Sequence, residues 1–118
     1  MDILLKRAYL PAEADDGYRI LVDRLWPRGV PKVSAHIDLW FKDIAPSPAL
    51  RKWYGHDPSR WDEFRAQYFR ELEGIPEAVE RIVERSHSGK VTLVYAAKDT
   101  EHSHALALLD FIEKFAQN

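Results

Sequence analysis

The chain contains no cysteine. That one absence excludes a disulfide scaffold, a thiolate metal site and a cysteine nucleophile. Glycine is scarce, with five residues that stand singly. There is accordingly no Walker phosphate loop, no Gly-x-Gly-x-x-Gly fingerprint and no Gly-x-Ser-x-Gly nucleophile elbow. No apolar run approaches the ~18 residues needed to span a bilayer. The apolar run near the N-terminus, Ile3-Leu4-Leu5, is too short for a signal peptide, so a soluble cytoplasmic protein is expected. A strong charge of one sign is also missing: the formal net charge is −2. The molecule as a whole is therefore no evident polyanion binder.

What is present fits one compact α/β domain over residues 1–118. Hydrophobic residues make up 46% and charged residues 31%, a balance that favours a packed core over disorder. Ile3 to Tyr9 reads as a first strand and Tyr18 to Leu25 as a second. The loop between them is short for a helical crossover, which leaves the direction of the first strand open. Ile37, Trp40, Phe41 and Ile44 follow helical spacing. Ser47-Pro48 is a cap followed by proline at a helix start, with Gly55 as its stop. Asp57-Pro58 repeats that device before a stripe of Trp61, Phe64, Tyr68 and Leu72. Ile75, Ala78, Val79, Ile82 and Val83 mark another helix. Val91 to Ala96 is the clearest strand, continuous and rich in β-branched residues, as a buried central strand should be. Asp99 or Thr100 is the expected cap of a last helix through Ala105, Leu108, Leu109, Ile112 and Phe115. The expected fold is a small, largely parallel three-stranded sheet with a multi-helix insertion before its last strand and a C-terminal helix.

Charge is unevenly spread. Arg19, Arg24, Arg28 and Lys32 face only Asp23 in their stretch of sequence, whereas acids outnumber arginines between Asp62 and Arg85. A local basic site on an acidic body suits a small anion better than a long polyanion. The run Asp23-Arg24-Leu25-Trp26-Pro27-Arg28-Gly29 closes the second strand. Open α/β sheets hold ligands beyond the carboxyl ends of their strands, and arginine offers a rigid donor fork for carboxylate or phosphate. Trp26 is placed either to stack on a planar group or to pack in the core. A second strand end, Tyr95 to His104, adds Lys98 and His104, the latter a candidate proton carrier near neutral pH. Parallel neighbouring strands would bring the two ends together. His102-x-His104 lacks the i, i+3 or i, i+4 spacing of a helical metal pair, so no metal is expected. His56-Asp57 is either an acid/base pair or a helix cap with a neighbouring loop histidine.

Several runs carry a resemblance. They are Lys6-Arg7-Ala8-Tyr9, the stretch from Asp16 to Gly29, Ala45-Pro46-Ser47 with Leu50-Arg51-Lys52, and Thr92 to Asp99. Together they resemble the YeaO-like branch of the bacterial domain-of-unknown-function family 488, collinearly over nearly the whole chain. The resemblance implies a small cytoplasmic α/β protein, usually a stand-alone domain, and implies no established activity. Members often carry asparagine-histidine where this chain has Ser103-His104. Other branches place cysteines after the last strand, where this chain reads Ala96-Ala97-Lys98 and Ser103-His104-Ala105. Cysteine-dependent or metal-dependent chemistry therefore does not carry over.

The expected function is binding of a small phosphate- or carboxylate-bearing ligand by Arg24, Arg28, Lys98 and His104, with Arg7, Tyr9 and Trp26 as further candidates and no cofactor. The alternative is a nucleic-acid or protein binding module without catalysis, stacking on exposed tryptophans. A third possibility is that the arginines brace the fold through salt bridges to Asp23, Asp38 or Asp99.

Overall fold

The computed structural model describes residues 2–117. Four strands form one sheet: β1 (Ile3–Arg7), β2 (Tyr18–Leu21), β3 (Leu39–Trp40) and β4 (Val91–Tyr95). Their spatial order is β1-β4-β2-β3, and every pairing is parallel. The direction of the first strand is thereby settled, and the sheet has four strands where the sequence pattern suggests three. The helices are α1 (Lys32–Ala35), α2 (Pro48–Tyr54), α3 (Trp61–Glu73), α4 (Pro76–His87) and α5 (His104–Ala116). β4 lies between β1 and β2 and is buried along its whole length, which explains its unbroken apolar pattern.

The additional strand is a correction. Ile37, Trp40, Phe41 and Ile44 have helical spacing, yet the segment forms β3 followed by a single 3-10 turn, Lys42–Ile44. Its residues divide between the two sides of the sheet. Ile37 and Trp40 pack with Leu21 and Val94, whereas Phe41 and Ile44 enter the larger core. The open edge of β2 decides the conformation: Asp38 N–H donates to the Arg19 carbonyl at 2.9 Å and Phe41 N–H to the Leu21 carbonyl at 2.9 Å. Backbone pairing of an otherwise bare edge outweighs a weak local helical preference.

The two faces of the sheet are covered differently. Helices α3, α4 and α5 pack on one another over one face, where Ile20, Val22, Leu93 and Tyr95 meet Tyr68, Leu72, Ile82 and Leu108. The other face is covered by the connection after β2, through Trp26, Val30 and Ile37. It is also crossed by the connection between β1 and β2. This connection has no α-helix and passes over β4 through a 3-10 turn at Ala14–Asp16. Thr92 Oγ1 on β4 donates to the Asp16 carbonyl at 2.7 Å, and Tyr18 N–H donates to the Lys90 carbonyl at 2.9 Å. Gly17 makes this close passage possible. Its φ is 68°, and a Cβ there would lie 2.2 Å from the Lys90 carbonyl oxygen.

Beneath the crossing lies a closed ionic cluster. Asp16 Oδ2 accepts from Arg19 Nη1 at 2.7 Å, and Lys6 Nζ donates to both Asp16 oxygens at 3.1 Å and to Glu13 at 2.6 Å. Arg19 Nε also donates to the Ala35 carbonyl at 3.0 Å. Burial works against the Asp16 charge. The Glu13 N–H and the Lys6 and Arg19 cations outweigh it, and the carboxyl stays below its ordinary range.

Ser47 Oγ caps α2 by accepting from Leu50 N–H, and Gly55 stops the helix in the left-handed region, as the sequence pattern indicates. At α5 the cap is neither Asp99 nor Thr100. Ser103 Oγ accepts from Leu106 N–H, and the helix starts at His104. Asp99 Oδ1 instead accepts from the N–H groups of Glu101 and His102, closing a turn ahead of the helix. Among the described residues, no helix is long and apolar enough to cross a membrane.

Candidate functional site

β2 and β4 are neighbours whose connections leave their carboxyl ends toward opposite faces. The chain after β2 turns onto the face covered by Trp26, Val30 and Ile37, while the chain after β4 turns to α5 on the helical face. Such a divergence leaves a crevice at the strand ends. Here it is a cavity of about 550 Å³ lined from both sides. The β2 side supplies Asp23 to Arg28 and the β4 side supplies Ala96 to Asp99 and His102 to His104. Ala45, Pro46, Arg51, Tyr54, His56 and Phe64 close it from the helical insertion.

Of the residues expected at the site, Arg24, Trp26, Arg28, Lys98 and His104 line this one cavity. Arg7 and Tyr9 do not. Arg7 Nε donates to the Ala97 carbonyl at 2.9 Å and Nη2 to the Ala96 carbonyl at 3.3 Å, so it ties down the loop after β4. Tyr9 Oη donates to the Arg28 carbonyl at 2.9 Å and secures the loop after β2. Both hold the cavity's walls from behind. Trp26 is divided between roles: it lines the cavity, but its Nε1 donates to the Val30 carbonyl at 2.7 Å and its ring meets Trp40 edge-on at 5.4 Å.

Among the described residues, Arg24 and Arg28 do not brace the fold through acids. Arg24 is half-buried, and its Nη2 reaches the Ala45 and Pro46 carbonyls at 3.3 and 3.4 Å, while its buried Nε has no hydrogen-bond partner among the described residues. Among those residues, no carboxylate forms an ion pair with Arg24, Arg28, Arg51 or Lys98. Arg28, Arg51 and Lys98 are exposed at the cavity mouth.

The two carboxylates of the cavity each lie beside a histidine. Asp99 Oδ2 accepts from His102 Nδ1 at 2.8 Å, and that bond, with two backbone N–H groups, holds the Asp99 carboxyl below its usual range. In the neutral ring, an ionised acceptor fixes the proton on Nδ1 and leaves the lone pair on Nε2. Asp23 Oδ2 accepts from Ala96 N–H at 3.0 Å, clipping the two strand ends together. His104 Nε2 donates to the Val22 carbonyl at 3.0 Å. Asp23 Oδ1 lies 3.1 Å from the same nitrogen, but the N–H is directed at the carbonyl, so this second contact is electrostatic rather than a hydrogen bond. Both neighbours of Nε2 are acceptors, which places the neutral ring's proton there.

Asp23, Arg51, Tyr54, Asp99 and His102 are the groups that the sequence pattern does not mark as site residues. Arg51 and Tyr54 arrive on α2, far along the chain, where their spacing signals only a helix. The Asp99–His102 pairing had a faint local signal in its i, i+3 separation. His56 lines the cavity with a φ of 56°, but Asp57 binds Ser59 and Arg60 instead, so the two do not form an acid/base pair. Among the described residues no group of three histidines, aspartates or glutamates is arranged to hold a metal.

A family model described as the inactive DUF488-N3 subclade matches residues 2–118. The chain belongs to the DUF488 family. It is 45% identical over 112 residues to the uncharacterized protein YeaO of Escherichia coli (strain K12), covering 95% of this chain and 97% of the relative. It is 38% identical over 110 residues to uncharacterized proteins of Mycobacterium tuberculosis (strain ATCC 25618 / H37Rv) and Mycobacterium bovis, covering 93% of this chain and 92% of each relative. No solved structure gives a significant match. In this YeaO-like DUF488 chain, serine at position 103 stands where the resemblance expects asparagine. Both residue types cap helices well, and Ser103 does so here.

Proposed function

We propose that this DUF488 domain binds a small anionic molecule, bearing phosphate or carboxylate, in the cavity at the carboxyl ends of β2 and β4. One observation carries the reading. Four cationic side chains, Arg24, Arg28, Arg51 and Lys98, line a single cavity with two carboxylates, of which Asp99 is bonded to His102 and Asp23 accepts from the Ala96 N–H. The remaining positive charge awaits an external partner. The cavity is concave and of small-molecule size, which favours such a ligand over a polymer groove. Membership of an inactive subclade supports binding rather than catalysis, and the lack of cysteine removes a thiolate nucleophile. A cytoplasmic location fits the same reading.

The test is calorimetric titration of the wild type and of the Arg28→Ala, Lys98→Ala double variant with inorganic phosphate and small phosphate esters. Both replaced side chains are exposed, so the variant is expected to keep its fold. The double variant should lose about tenfold or more in affinity, the effect of removing two charge-assisted contacts. Wild-type affinity retained by the variant for every anion overturns the reading. So does tight polynucleotide binding that falls steeply with salt while small anions fail to bind.

A further inference from the structure

We propose that the ligand is an organic phosphate monoester, its phosphate held by the cations at the mouth and its apolar body laid along Leu25 and the Tyr54 wall. This rests on the anion-binding reading and specifies the ligand class. Size is the first argument. A cavity of about 550 Å³ falls within the roughly 300–1,000 Å³ range of sites for small organic molecules, far more room than a bare phosphate or carboxylate fills.

The second argument is where apolar surface is left uncovered. Leu25 is 61% exposed and stands in the cavity wall between Arg24 and Arg28. An exposed leucine is ordinary by itself, but one set between two arginines at a cavity mouth offers apolar contact beside the charge. Another lining side chain is fixed in advance. Tyr54 stacks on Phe64 with ring centroids 4.2 Å apart, and its hydroxyl donates to the His102 carbonyl at 2.8 Å. A ring held by stacking and at its tip loses little freedom when a ligand packs against it. Burial also raises the Tyr54 phenol above its ordinary range, so the wall adds no negative charge.

The third argument is the charge of the head group. Three exposed cations and the half-buried Arg24 outnumber the two engaged carboxylates, a surplus better matched to a phosphate monoester dianion than to a single carboxylate. His102 adds a polar atom to the same cavity: with its Nδ1–H donated to Asp99, the neutral ring has Nε2 left to accept from a ligand hydroxyl or N–H.

The experiment titrates the wild type and Leu25→Ser with inorganic phosphate, phenyl phosphate, adenosine 5′-monophosphate and adenosine. Taking about 60 Å² of apolar ligand surface out of water corresponds to about a tenfold gain in affinity. At least one ester should therefore bind about tenfold more tightly than inorganic phosphate, and adenosine should bind far more weakly than its monophosphate. Leu25→Ser should reduce ester binding about fivefold and leave inorganic phosphate within about twofold. Esters no tighter than inorganic phosphate, or indifferent to Leu25→Ser, overturn this proposal while the anion-binding reading stands. Failure of every anion to bind overturns that reading instead.

Discussion

Two clusters of charge sit on this small sheet, and they are built on opposite terms. Beneath the β1–β2 crossing, Lys6, Asp16 and Arg19 answer one another directly. At the carboxyl ends of β2 and β4, Arg24, Arg28, Arg51 and Lys98 form no ion pair among the described residues, while of the two nearby aspartates Asp99 is bonded to His102 and Asp23 to the Ala96 N–H. Both clusters draw arginine from β2 or its continuation. Arg19 is 3% exposed and holds two loops in place, whereas Arg28, nine positions later, is exposed at the mouth of a cavity. Partner supply, rather than residue type, separates a brace from a receptor.

The comparison is broken most severely by removing the acid from the closed cluster. Asp16→Ala leaves Arg19 buried without its counter-charge, and urea denaturation should show a loss of about 3–5 kcal/mol. The same carboxylate predicts a pH dependence. Its folded pKa lies below the unfolded value, so its contribution is complete above the ordinary carboxylate range and is lost as pH falls through the folded value. Denaturation midpoints of the wild type should drop on acidification more than those of Asp16→Asn, which has no proton to take up there. Equal acid sensitivity of the two would show that Asp16 is not ionised in the fold.

A smaller but still large effect is expected at the crossing itself. Gly17→Ala requires a left-handed residue with its Cβ driven into the Lys90 carbonyl, and should cost at least about 2 kcal/mol in thermal or urea unfolding. The open cluster should respond least. Replacing Arg28 and Lys98 by alanine should shift stability by no more than about 0.5 kcal/mol, because neither forms an ion pair among the described residues. A loss of several kcal/mol there would place the open cluster in the same class as the closed one.

How much of this was readable beforehand differs by element. β4 and the start of α2 were legible because their signals are local: an unbroken apolar run in one, a serine and proline in sequence in the other. β3 was not, because its conformation is imposed by the bare edge of β2 and its apolar spacing mimics a helix. The meeting of Arg24 and Arg28 with Lys98 and His104 followed from the rule that parallel neighbours share a carboxyl end. Arg51 and Tyr54 were invisible as site residues, since α2 reaches the cavity only through the packing of the helical layer. Arg7 and Tyr9 misled for a related reason. Proximity to a strand end says where a side chain begins, and only the carbonyls it finds show that it supports the wall instead of facing the cavity.

The strand order carries a consequence for biosynthesis. β1 and β2 are early in the chain, yet β4, the strand that joins them, is the last to be translated. A nascent chain that has emerged only through α4 lacks the strand with which both β1 and β2 pair on their inner edges. The ribosome must deliver the Val91–Tyr95 segment before the sheet closes, so this sheet is completed by its last strand instead of building outward from its first. The cavity inherits that timing. One of its walls is carried by the loop after β4, and no chain made only through α4 contains the whole receptor.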